Sequence, residues 1–278
     1  MMPRRDVRPA AVAGTWYPNN EAQLEAALDV HLAAVAPASQ GSCPRALIAP
    51  HAGLMYSGPV AAYAYALVRG CQYSAVVLVG PSHFVAFQGV SIWPRGAWET
   101  PFGDVPIAEE LAGAIAERSR DITEHPAAHN REHSLEMQLP FIARLLPNVP
   151  IVPLVMGYQT RTTALDLGQT LADALEAHGE RDVLIVASSD LSHYENAETA
   201  SRLDAVVLQC VAEFSAERLM DAVEHEPRHA CGGGPMVSVL SAASQLGCTR
   251  SQVLHYGDSG DVSGNKSAVV GYMAAAIW

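Results

Sequence analysis

Basic residues are scarce. The 278-residue chain carries 17 Lys+Arg against 29 Asp+Glu, a formal net charge of -12, and only 17% of it is charged. Nucleic-acid and anionic membrane surfaces both select clustered Lys and Arg, so neither partner is expected. Cysteine is also sparse: five residues, at 43, 71, 210, 231 and 248, with no C-x-x-C pair. That odd count argues against a disulfide framework and for a reducing, cytoplasmic setting. Met1 to Arg8 has basic residues but no apolar run behind them, so no secretory signal is expected. The longest apolar stretch near an end, Ser267 to Trp278, is too short to span a bilayer as a helix. No internal repeat, low-complexity linker or boundary marker interrupts the chain, and residues 1–278 are expected to form one domain.

What the chain has is apolar residues, 49% of the total, enough for a large core. Short apolar runs at Ala46–Ala49, Ala75–Gly80, Ile151–Met156, Val183–Ala187 and Ala268–Tyr272 have the length and flanks of strands buried on both faces. Helical patterns alternate with them: Gly58–Arg69 with Pro59 at its first turn, Glu132–Leu146 with a kink at Pro140, Thr162–His178, Thr199–Phe214, Ala216–His225 and Pro235–Leu246. The alternation predicts an α/β fold, a largely parallel central sheet with helices on both faces. Val85–Asp104 is less regular and reads as a hairpin or a loop over the sheet edge.

The chain also has 11 His, and their positions say more than their number. His51 follows the run ALIA, His83 follows AVVLVG, and His193 follows VLIVAS and Ser189-Asp190-Leu191-Ser192. Each thus stands past the carboxyl end of an apolar strand, where open α/β sheets bind ligands. His51 and His83 are one strand–helix–strand unit apart, so adjacent parallel strands would bring both imidazoles to one ion. The alternative for each is a loop residue with a local hydrogen bond.

A second string, His129-Asn130-Arg131-Glu132-His133, fits the H-x-x-E-H order of inverted zinc peptidases if it is helical, with Glu132 as base. The plainer alternative is a helix start with Glu132 at the positive end of the dipole. Cys231 precedes Gly232-Gly233-Gly234-Pro235 and a helical pattern, so the helix dipole would favour its thiolate. That suits a soft metal ligand or a nucleophile. The glycine run alone could suggest an anion site, although no Walker lysine follows. Cys43, Cys71, Cys210 and Cys248 read as structural.

Nine ordered strings carry a family resemblance: AGTWYP (13–18), APHAG (49–53), YSGPVAAYAY (56–65), GPSH (80–83), TPFGDVP (100–106), REHSLEMQLPF (131–141), SSDLSHY (188–194), ACGGGP (230–235) and YGDSGDVSG (256–264). The chain resembles the MEMO family, known in many prokaryotes as AmmeMemoRadiSam system protein B. That family is similar in fold and site layout to the class III extradiol dioxygenases, which hold non-haem Fe(II) with two His and a carboxylate and use another His as acid/base. The resemblance implies that His51 and His83 are metal ligands and that Cys231 replaces the carboxylate. It implies that His193 is the catalytic His, with Asp190 beside it. His133 and Glu132, with Tyr56 and Ser82 from neighbouring strings, are implied to stand near the pocket. It demotes the peptidase alternative.

Three functions fit these residues. The first is a mononuclear metalloprotein with dioxygenase-like O₂ chemistry, Fe(II) being the expected cofactor. The second is a non-catalytic copper, iron, peptide or partner-binding protein. Its partners, by the family's gene neighbourhood, would be an AMMECR1-like protein and a radical S-adenosylmethionine enzyme. The third is a zinc-dependent hydrolase. The substitution of thiolate for carboxylate makes the site softer, so Cu and Zn stay open beside iron.

Overall fold

The structure is a computed structural model and describes residues 7–36, 42–177, 179 and 182–278. Most of the Met1–Arg8 stretch and His178, the expected end of one helix, lie outside the described residues.

The strands are β1 (Val7–Arg8), β2 (Ala46–Ala49), β3 (Ala75–Pro81), β4 (Val90–Ile92), β5 (Ala97–Thr100), β6 (Gly103–Pro106), β7 (Ile122–Glu124), β8 (Ile151–Met156), β9 (Val183–Ser188), β10 (His193–Glu195), β11 (Ser251–Asp258) and β12 (Val269–Ile277). Nine of them form one sheet in the order β10-β12-β2-β9-β3-β8-β4-β7, with β11 on β12. The block β2-β9-β3-β8 is parallel. Its strands are buried along their whole length, as their unbroken apolar runs require. The expected parallel sheet is this block. The pairs β12–β2 and β8–β4 that border it are antiparallel. The irregular stretch before Asp104 yields β4 and a β5–β6 hairpin, which joins β1 in a small separate sheet.

The helices are α1 (Glu21–Ala33), α2 (Leu54–Tyr65), α3 (Glu109–Ala116), α4 (Pro126–Asn130), α5 (Leu139–Leu145), α6 (Arg161–Ala177), α7 (Ala197–Ala212), α8 (Ala216–His225), α9 (Gly233–Gln245) and α10 (Gly260–Ser263). In α1, which was not anticipated, Asn20 caps the Gln23 amide and Leu24, Leu28 and Leu32 form the buried stripe. Helix α9 lies across β2, β9 and β3 with α6 packed on it, while α2 packs on β12 and β2.

Two helices differ from the sequence reading. Helix α2 begins at Leu54, with Pro59 inside it, because the Leu54 amide is taken by the Trp16 carbonyl. The expected helix Glu132–Leu146 is a bend, a 3₁₀ turn at Glu136–Gln138 and then the short α5, with Pro140 in its first turn. The cause is a period of two: Glu132, Ser134, Glu136 and Gln138 are all fully buried and reach in different directions for partners. Glu136 accepts from Arg8 Nη1 at 2.7 Å, the Ala11 and Val12 amides and the Tyr17 hydroxyl. It thereby fixes the loop that carries Trp16 over this segment.

One disulfide forms although a framework was not expected. Cys43 and Cys71 are bonded across 28 residues, because α2 runs back from the end of β2 and returns the chain to the start of that strand. An odd cysteine count excludes complete pairing, not a single pair. Closing a loop of this length stabilises the fold by about 3–4 kcal/mol. Urea unfolding with and without reductant should show that difference, and identical midpoints would contradict it.

His129 supplies a second test. Burial, and then the neighbouring Arg8 guanidinium, lower its pKa to about 3. The unfolded chain takes up that proton near pH 6.5, so it binds more protons than the fold between those values. This contribution is complete above pH 6.5 and is lost as pH falls towards 3, by up to about 1.4 kcal/mol per pH unit. His129→Gln should flatten the fall in urea midpoint between pH 6.5 and 4. An unchanged slope would refute the assignment.

Candidate metal centre

The loops that leave β2, β9 and β3 meet at one edge of the sheet. His51 and His83 are not on adjacent strands, as the spacing suggested: β9 lies between β2 and β3. Its Ser188–Asp190 end fills the gap. The ligand atoms of His51, His83 and Cys231 nevertheless lie within 4.8 Å of one another. His51 Nε2 is 3.2 Å from Cys231 Sγ, and the His51 and His83 rings stand at 80° with centroids 5.2 Å apart. His51 is fully buried and kept neutral by that burial, reinforced by the charge of His83.

Each donor is held by a buried polar group. Glu132 Oε1 accepts from His83 Nδ1 at 2.8 Å and Oε2 from the His83 amide at 2.6 Å, so His83 Nε2 is the nitrogen left for a ligand. Glu132 also accepts from the His133 and Ser134 amides. Burial alone would raise its pKa, but the His83 and backbone donors outweigh it and bring the value down to about 2. His51 Nδ1 meets Ser188 Oγ at 2.8 Å. Asp190 accepts from the His51 and Ala52 amides, while its carbonyl accepts from the Cys231 amide. Gln159 clamps the Cys231 loop, donating to the Cys231 carbonyl and accepting from the Gly234 amide. Gly232 is required by contact, since a Cβ there would sit 2.5 Å from the Ser188 carbonyl. Sequence reasoning missed Ser188, Gln138 and Gln159. Only the position of Ser188, next to the strand end, could have pointed to one of them.

Two expectations about Cys231 are corrected. Burial pushes its thiol well above the usual range, and the Asp190 carboxylate adds to this. The helix dipole cannot compensate, because the Gly232 and Gly234 amides are already taken by Ser189 Oγ and Gln159 Oε1. For the same reason the glycine run is not an anion site. A thiolate here needs a cation beside it.

His133 stacks on His83 at 4.4 Å and meets the His51 ring at 5.5 Å. Burial, then His51 and His83, lower its pKa to about 4. Its buried Nδ1 makes no hydrogen bond among the described residues. Trp16 and Phe84 both contact the His133 ring and stay exposed. His193 lies on β10, close enough for its charge to act on His51 and Asp190. The Asp190 carboxylate accepts from the His51 and Ala52 amides. Ser82 gives its hydroxyl to the Val85 carbonyl and shapes the His83 turn. Tyr56 stands partly buried in the first turn of α2, within electrostatic range of Tyr272. The peptidase alternative fails on geometry: α4 ends at Asn130, and His129 is sealed between Trp93 and Trp98 with Nε2 on Ser91 Oγ at 2.9 Å.

The model of the family "Memo-like protein" matches residues 8–276. The chain belongs to that family. It is 38% identical over 273 residues to a MEMO1 family protein of Methanosarcina mazei, covering 98% of this chain and 99% of that protein. It is 35% identical over 285 residues to a MEMO1 family protein of Methanocaldococcus jannaschii, with coverage of 98% and 99%. Among solved structures, an uncharacterized protein of Escherichia coli K12 matches with a TM-score of 0.56 and 16% identity, covering 82% of this chain and 98% of that one, which shows the shared fold. Among the described residues no helix of this Memo family chain is long and apolar enough to cross a membrane.

Removing the carboxylate under His83 tests the arrangement. Glu132→Ala should cost about 3–5 kcal/mol in urea unfolding, the usual loss when one partner of a buried charged hydrogen-bonded pair is deleted. A loss below 1 kcal/mol would show that the Glu132 contacts carry little.

Proposed function

We propose that this Memo family chain holds a single metal ion between His51, His83 and Cys231 and uses it for O₂-dependent redox chemistry of the dioxygenase kind, with Fe(II) as the ion. The observation that carries the reading is the convergence of two imidazole nitrogens and one sulfur from three separate loops. The residues fit such a group: two nitrogens are free of their outer partners, and burial holds the thiol in its protonated form unless a cation stands beside it. When bound, Fe(II) would supply electrons for O₂ activation.

The protein's own groups define the rest. Glu132 and Ser188 hold the two rings, and Asp190 ties the His51 loop to the Cys231 loop. His133, with Trp16 and Phe84 around its ring, forms an apolar lip on which an organic substrate can lie. The burial of His133 keeps it neutral, so it can accept a hydrogen bond there. His193, on β10 just past the carboxyl end of β9, is the proton carrier in this reading.

One observation favours a second reading. A thiolate in place of a carboxylate suits Cu(I) or Zn(II), so the same centre would serve as a metal-holding site without turnover. An AMMECR1-like protein and a radical S-adenosylmethionine enzyme are its proposed partners, tested by pull-down.

Anaerobic Fe(II) loading followed by elemental analysis and O₂ uptake on catechol-like substrates separates the two. The first reading expects about one iron per chain, O₂ uptake with some substrate, and loss of iron in His51→Ala and His83→Ala. Stable Cu(I) binding with no O₂ uptake would establish the second. Unchanged iron content in both variants would end the ligand assignment.

A further inference from the structure

The buried side chains behind His51 form a closed hydrogen-bond circuit whose direction can be worked out. Tyr65 Oη lies 2.8 Å from Gln138 Oε1. Gln138 Nε2 reaches the Pro50 carbonyl at 3.1 Å and Ser188 Oγ at 2.8 Å. Ser188 Oγ reaches the Ser134 carbonyl at 2.6 Å and His51 Nδ1 at 2.8 Å. Tyr65, Ser134, Gln138, Ser188 and His51 are all buried, so water does not complete these bonds.

Two backbone carbonyls can only accept, and they set every direction. The Pro50 carbonyl requires the NH₂ end of Gln138, which leaves Oε1 for the Tyr65 hydroxyl proton. The Ser134 carbonyl takes the single proton of Ser188. A hydroxyl oxygen has one proton and two lone pairs. One lone pair of Ser188 accepts from Gln138, so the other must accept from His51 Nδ1–H. A neutral imidazole carries one N–H, so His51 Nε2 has its lone pair bare, facing Cys231 Sγ at 3.2 Å.

We propose that Ser188, itself held by Gln138 and the Ser134 carbonyl, is a positioning residue that locks His51 in the Nδ1–H tautomer and so presents Nε2 as an electron-pair donor to the centre. The proposal rests on the reading of His51 as a ligand. Without the Ser188 acceptor the Nδ1–H tautomer loses its partner, while Nε2–H could still donate to Cys231 Sγ. The circuit also links β2, β9 and the 132–138 segment, which no pair of neighbouring residues in the sequence reveals.

Long-range ¹H–¹⁵N correlation spectra of reduced, chelator-treated protein give the test, with His51 assigned through His51→Gln. The wild type should show His51 protonated at Nδ1 and bare at Nε2. Ser188→Ala should populate the Nε2–H form and weaken Zn(II) binding by about 10–100-fold, the usual effect of losing a ligand's outer partner. Ser188→Thr, which keeps the hydroxyl, should restore both. A wild-type His51 protonated at Nε2 overturns the proposal without recourse to any variant, as does an unchanged tautomer in folded Ser188→Ala. Wild-type protein that shows the Nδ1–H tautomer but binds neither Zn(II) nor Fe(II) would instead end the ligand reading and leave the tautomer lock standing.

Discussion

A carboxylate with almost no access to water must find its donors in the protein, and Glu132 is that carboxylate here. It stands at the carboxyl edge of the sheet and accepts from the His83 ring, the His83 amide and the amides of His133 and Ser134. Those bonds keep it ionised despite burial. The loop after β3 and the chain around residue 132 therefore cannot move independently. Glu132 also fixes the entry to a segment whose next polar residues, Ser134, Glu136 and Gln138, are all fully buried. Ser134 reaches the Pro81 carbonyl, Glu136 the Arg8 and Trp16 region, and Gln138 the His51 support. One buried polar ribbon thus holds two imidazoles and the loop over the pocket.

This ribbon is where the sequence is hardest to read. Leu135, Leu139, Ile142 and Leu146 do fall on a helical stripe, and all are buried. The polar residues between them are buried as well, so the stripe carries no information about a solvent face. A segment enclosed on every side has no amphipathic period to expose. The strands of the parallel block were legible for the opposite reason: short β-branched runs bounded by Gly, Pro or Ser have few alternatives. The strand order was not, because the sequence distance from His51 to His83 says nothing of β9 entering between them.

The site divides along the same line. His51, His83 and Cys231 could be named because strand ends and a glycine-flanked cysteine are local signals. Their supports could not. Ser188 bonds to His51 across 137 residues of sequence and to Gln138 across 50. The resemblance sets Asp190 beside His193, and its carboxylate also spans 139 residues to the His51 amide. A carboxylate without a charged partner takes whichever buried amides the fold presents, and only the topology decides which those are.

Charge accounting at the centre connects these supports to the chemistry. The rings of His51 and His133 are kept neutral by burial. Burial also drives Asp190 towards its neutral form, whereas Glu132 is ionised. A metal held by Cys231 adds one thiolate. A divalent cation would offset both the thiolate and Glu132. A monovalent ion such as Cu(I) would leave one uncompensated negative charge in a poorly solvated site, which is costly. Ligand softness pulls towards copper and charge balance towards a divalent ion. Because uncompensated burial of charge costs several kcal/mol, charge balance favours a divalent ion over a monovalent one among these side chains.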